Sequence, residues 1–118
     1  MHLNHVHLAG TDLPALKAFY ETWFGFRETA SHDDIVFLRD ESGFLLAIDA
    51  VETPPTFPNW FHLGFCQVSP QTVRELFARM KAGGVRFARE LTEYDGEATV
   101  FFCLDPAGTK IEVSWHKD

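Results

Sequence analysis

Only two of the 118 residues are cysteine, Cys66 and Cys103. They form no CxxC pair, and each sits in an apolar run, so a disulfide-stapled secreted scaffold is excluded and a reducing compartment is expected. Basic clusters are also missing. The 10 Lys and Arg are scattered among 17 Asp and Glu, for a net charge of -7, which makes nucleic acid and anionic membranes poor partners. No apolar run approaches the ~20 residues of a transmembrane helix, and Met1-His2-Leu3-Asn4-His5 has neither a basic leader nor an apolar signal core. A soluble cytoplasmic protein is therefore expected. What is abundant is apolar and aromatic: 46% hydrophobic residues, with twelve Phe and three Trp. A chain of this size buries roughly 65% of its unfolded surface, enough for one domain over 1-118 with its own core. Six histidines are the other excess.

Local signals set the order of elements. Leu3 to Leu8 reads as a strand with Leu3, His5 and His7 on one face. Asp12 caps a helix over about 13-23, with a first-turn proline and Leu13, Leu16, Phe19, Tyr20 and Trp23 at helical spacing; Gly25 stops it. Three short strands follow, near Phe26 to Ala30, Ile35 to Arg39 and Phe44 to Ala50, the last two joined by Asp40-Glu41-Ser42-Gly43. Residues 51-59 hold three of the six prolines and form a linker. Then the order recurs: Trp60 to Val68 as a strand, Ser69 capping a helix through Val73, Leu76, Phe77 and Met80, and Gly83-Gly84 as its stop. Strands near Val85 to Leu91, Ala98 to Leu104 and Lys110 to Trp115 complete it.

Laying His5 on His62 aligns Asp12 with Ser69, Leu16 with Val73, Lys17 with Arg74 and Tyr20 with Phe77, without a gap. Asp40-Glu41-Ser42-Gly43 overlays Asp105-Pro106-Ala107-Gly108, which pairs Ala47 with Glu112. The expected architecture is α+β: two βαβββ modules, about 1-50 and 60-118, whose curled mixed sheets form an open trough. His5 and His62 become one position seen twice. With Glu112 on the final strand they supply two imidazoles and one carboxylate, a set that suits a divalent first-row metal. Taken singly, each residue could equally be a polar side chain on a half-exposed strand.

The stretch Asn4-His5-Val6-His7-Leu8 with Asp12-Leu13-Pro14, Phe19-Tyr20 and Trp23-Phe24-Gly25-Phe26 resembles the opening of the vicinal oxygen chelate superfamily. That superfamily includes glyoxalase I, fosfomycin-modifying enzymes, extradiol dioxygenases and bleomycin-binding proteins. Leu104-Asp105-Pro106-Ala107-Gly108-Thr109-Lys110-Ile111-Glu112 resembles its closing signature. The resemblance covers essentially the whole chain and implies metal ligation by His5, His62 and Glu112. Glyoxalase I adds a glutamate where this chain has Ala47; Asp49, two residues on, is a substitute with a shorter arm. Extradiol dioxygenases that look like this are about twice as long, and a phosphonate would need Arg39 or Arg89 in the cavity. The resemblance also implies a homodimer.

The resulting expectation is a small metalloenzyme in which iron, manganese, nickel, cobalt or zinc holds vicinal or enolate-like oxygens of a small substrate, of lyase, transferase or dioxygenase type. The alternative is a metal-free binding protein of the bleomycin-resistance type, with an acidic, aromatic-lined groove. His7, Asp49, Trp60, Phe101 and Cys103 are expected as cavity wall or as supports of the ligands. Glu93, Tyr94, Asp95 and Glu97 are general-base candidates by location only. His32 and His116 are expected as a loop residue and a tail residue.

Overall fold

Residues 1–118 are all described by the computed structural model. In order they form β1 (His5–Gly10), α1 (Leu13–Phe24), β2 (Arg27–His32), β3 (Ile35–Arg39) and β4 (Leu45–Ala50). There follow β5 (Leu63–Cys66), α2 (Pro70–Ala82), β6 (Arg86–Tyr94), β7 (Ala98–Leu104) and β8 (Lys110–His116). The chain divides into two units, Met1–Thr56 and Phe57–Asp118. Each contains one four-stranded mixed sheet, ordered β1-β4-β3-β2 in the first and β5-β8-β7-β6 in the second. Neither sheet closes into a barrel, and the class is α+β.

The caps form as the sequence dictates. The Asp12 carboxylate accepts the Ala15 N–H at 3.1 Å, and the Ser69 hydroxyl accepts that of Thr72 at 3.2 Å. Each satisfies a donor that the first helical turn leaves open, and a proline sits in the first turn of both helices. The strand-joining turns are equally matched. Gly43 and Gly108 both take left-handed backbone, at φ 87° and 88°, a conformation glycine adopts without a Cβ clash. The Gly43 N–H donates to the Asp40 carbonyl at 3.0 Å, and the Gly108 N–H to that of Asp105 at 2.9 Å. Asp40 Oδ1 accepts the Phe44 N–H, and Asp105 Oδ1 accepts those of Ala107 and Thr109.

These turns fix which face each strand presents. In the first unit β1 runs parallel to β4 with Val6 beside Leu46, His7 beside Ala47 and Ala9 beside Asp49. In the second β5 runs parallel to β8 with Leu63 beside Ile111 and Gly64 beside Glu112. The two registers coincide under the overlay of His5 on His62. Leu8, Val36, Leu38, Leu46 and Ile48 are buried with Leu16 and Tyr20 of α1; Val100, Phe101, Cys103, Ile111 and Val113 are buried with Val73, Leu76 and Met80 of α2. Each such large side chain contributes roughly 1.5–3 kcal/mol by leaving water.

Several expected strands differ in extent, and β2 runs on to His32 and β6 to Tyr94, past the expected Ala30 and Leu91. β1 begins at His5 rather than Leu3, because β4 begins at Leu45 and offers no partner further back. β5 spans four residues rather than nine, because only Leu63 to Cys66 pair along β8. No helix is long and apolar enough to cross a membrane.

Candidate metal centre

Glu112 lies on β8 between Gly64 of β5 and Phe102 of β7, and its side chain is 19% exposed. The missing side chain at Gly64 leaves room above it. Continuing the β5 register one residue back sets His62 beside Lys110, so His62 reaches Glu112 along the diagonal. Its Nε2 lies 3.0 Å from Glu112 Oε1. Its Nδ1 lies 3.0 Å from the Trp60 carbonyl oxygen. A carbonyl only accepts, so Nδ1 is the nitrogen that donates to it, and Nε2 is the one turned toward the carboxylate. Two acceptors at that distance require a cation between them, either a proton on Nε2 or a metal ion. Donors bound to an octahedral ion at about 2.1 Å and about 90° stand about 3.0 Å apart, so the pair fits a divalent metal. The Phe102 ring braces the imidazole edge to face, with centroids 5.2 Å apart.

The equivalent imidazole of the first unit is prepared in the same way. His5 Nδ1 donates to Asn4 Oδ1 at 2.7 Å, which leaves Nε2 as the ring's lone-pair nitrogen. At the place of Glu112 stands Ala47, which is buried. The carboxylate here comes from Asp49, whose Oδ2 lies 3.0 Å from His7 Nε2. This is the same diagonal contact moved two residues along the strands. Within neither unit do three His, Cys, Asp or Glu side chains converge closely enough to hold an ion.

The structure thus brings His62 together with Glu112, and His7 with Asp49. Trp60 supports His62 through its backbone carbonyl, while the residue itself is 75% exposed. Phe101 and Cys103, expected as cavity wall, are instead fully buried; they lie on the face opposite Glu112, and Phe101 packs its ring on Phe77 of α2. Burial pushes the Cys103 thiol up to about 12. The aromatic residue beside the site is Phe102. Counting outward from the Asp105 turn, Leu104 opposite Lys110 and then Phe102 opposite Glu112, identifies it from the sequence alone.

His116, expected as a tail residue, ends β8 on the Glu112 face, its Nε2 3.7 Å from Glu112 Oε2. His32 ends β2 rather than lying in a loop, with its ring edge to face on Phe37. Of the general-base candidates, Glu93 is bound by Arg74 at 2.6 Å, and that hydrogen bond lowers its pKa; Tyr94 accepts from Arg89 at 2.6 Å. Arg39 donates to the Gly43 carbonyl.

A family model described as the Glyoxalase/Bleomycin resistance protein/Dioxygenase superfamily matches residues 2–113. The chain is similar to the solved structure of a "possible Glyoxalase" from Bacillus cereus, at 28% identity and a TM-score of 0.84, over 96% of this chain and 97% of that one. The fold also matches the fosfomycin resistance protein FosX from Listeria monocytogenes, at 24% identity and a TM-score of 0.85, over 99% and 94% of the two chains. FosX complexed with Mn(II) and sulfate matches at 23% identity and a TM-score of 0.83, over 98% and 90%. No curated protein matches the chain.

Proposed function

The chain belongs to the Glyoxalase/Bleomycin resistance protein/Dioxygenase superfamily, and we propose that it is a small divalent-metal-dependent enzyme acting on vicinal or enolate-like oxygens of a small substrate. His62 and Glu112 are the ligands from the second unit, and His5 is the ligand that the family resemblance assigns to the first. The observation that carries this reading is the His62–Glu112 pair: Nε2 and Oε1 stand 3.0 Å apart, with Nδ1 already committed to the Trp60 carbonyl. A ligand histidine whose other nitrogen is held by an oxygen is fixed in tautomer and orientation, and His5 with Asn4 repeats the device. A Mn(II) ion in the fold relative FosX supports a divalent ion here. When bound, such an ion polarises substrate oxygens and templates their approach. The second unit's part is to hold the His62 imidazole against the Trp60 carbonyl, keep Glu112 largely shielded beside Phe102, and leave room above Gly64 for substrate. Ala47 in place of a fourth ligand argues against glyoxalase I chemistry and for a more open centre.

A metal-free binding protein is the second reading, favoured by the exposed Trp60 and by Phe57 and Phe61, which stack at 4.8 Å in the same segment. Both readings include a cytoplasmic homodimer, which sedimentation at micromolar concentration would test. Elemental analysis of protein purified without chelator separates the two. The enzyme reading expects about one ion per chain, lost in His62→Ala and in Glu112→Ala. Stoichiometric metal surviving both substitutions would overturn the site; no uptake under any loading would select the binding protein.

A further inference from the structure

We infer that His116 is a positioning residue for Glu112, holding Oε2 so that Oε1 is the oxygen presented beside His62. The inference rests on the metal reading above and concerns which carboxylate oxygen the chain commits to the ion. Alternation along β8 puts Glu112, Ser114 and His116 on one face. Four residues of strand separate the two backbones by about 13 Å, so contact requires both side chains to lean toward each other. They do: His116 Nε2 stands 3.7 Å from Oε2, while Oε1 faces His62 at 3.0 Å. Each carboxylate oxygen therefore has its own imidazole. The position of His116 is held from below, since it pairs with Ala98 at the end of the ladder and the next residue, Lys117, donates its N–H to the Glu97 carbonyl at 2.8 Å. A ring shift of under about 1 Å brings Nε2–H to hydrogen-bond distance of Oε2. A glutamate with no such partner can turn either oxygen, or both, toward an ion; a donor on one oxygen removes that freedom, and partners of this kind typically change metal affinity 10–100-fold.

Mn(II) titration of the full chain, with free Mn(II) followed by electron paramagnetic resonance, tests this. His116→Phe, which keeps bulk but offers no donor, is expected to bind Mn(II) about 10–100-fold more weakly than wild type. His116→Gln, which restores an N–H, is expected to recover most of that loss, with all three proteins unfolding at the same temperature. A merely structural role would not separate Gln from Phe. Wild-type affinity in His116→Phe, or an equal loss in His116→Gln, would overturn the inference and leave the metal reading standing. A wild-type chain that takes up no Mn(II), or whose uptake survives His62→Ala, would overturn both.

Discussion

Glu112 and Ala47 occupy the same place in two sheets of the same topology, one beside Gly64 and the other beside His7. In the second unit the first strand gives up its side chain at that row and the last strand supplies a carboxylate; in the first unit the reverse holds. Each unit still makes one histidine–carboxylate contact of 3.0 Å along the diagonal, but in the first unit it is displaced by one strand repeat. The contact is a property of parallel pairing between the first and last strands, and either row can carry it. What distinguishes the rows is support. The His62–Glu112 pair is the less exposed of the two and has the Trp60 carbonyl behind its imidazole. One scaffold duplicated, with chemistry placed independently on each copy, is the simplest account of these residues.

If the scaffold is shared, equivalent core substitutions should differ only by their local packing. Tyr20 is fully buried, with Phe19, Phe24 and Phe26 within 5.2–6.1 Å of its ring, whereas its counterpart Phe77 is half-buried against Phe87 and Phe101. Tyr20→Ala should cost roughly 3–5 kcal/mol and Phe77→Ala the low end of that range or less, read as shifts in urea midpoint. Equal costs would mean that the two helices are not packed as the burial indicates.

The matched turns give a smaller contrast. Asp105 is buried and its Oδ1 accepts two backbone N–H groups, whereas Asp40 is half-buried and accepts one backbone N–H and the Ser42 hydroxyl. Asp105→Ala strands the buried Thr109 N–H and the half-buried Ala107 N–H and should cost about 2–3 kcal/mol, against about 1 kcal/mol for Asp40→Ala. Thermal unfolding of the two variants checks the order, and Asp40→Ala as the more damaging change would contradict it.

These contrasts also show why some features were legible in the sequence and others were not. Caps and turns are written in single residues whose chemistry is local, and Asp12, Ser69, Gly43 and Gly108 all act where they were expected. The His5–His62 equivalence followed from them. Strand faces in the second unit are harder to read, because Val100 to Leu104 is apolar throughout and its alternation is masked by burial on both sides. The sequence therefore reads Phe101 and Cys103 as cavity wall and Phe102 as mostly core, whereas it is Phe102 that stands beside Glu112. The His116 contact is hidden for another reason. It depends on two side chains leaning along one strand, which no spacing rule reports.

The smallest expected effects come from the ion pair that each unit places between its helix and a strand of its sheet. Lys17 and Arg74 align in the repeat; Lys17 meets Glu28 of β2 at 3.0 Å, and Arg74 meets Glu93 of β6 at 2.6 Å. Both pairs are exposed, so either alanine variant should lose little at neutral pH. The pH dependence should have opposite signs. The hydrogen bond from Arg74 holds Glu93 below its ordinary value of 4.5, so this stabilisation is present above that value and is lost as pH falls through the lowered one. The hydrogen bond to Glu28 holds Lys17 above its ordinary value of 10.5, so that stabilisation is present below 10.5 and is lost as pH rises through the raised one. The gap in melting temperature between wild type and Arg74→Ala should therefore close as pH falls below 4.5, and the gap for Lys17→Ala as pH rises above 10.5. Gaps that close at the same end of the scale would show that the two pairs, alike in position, are not alike in which partner's proton they control.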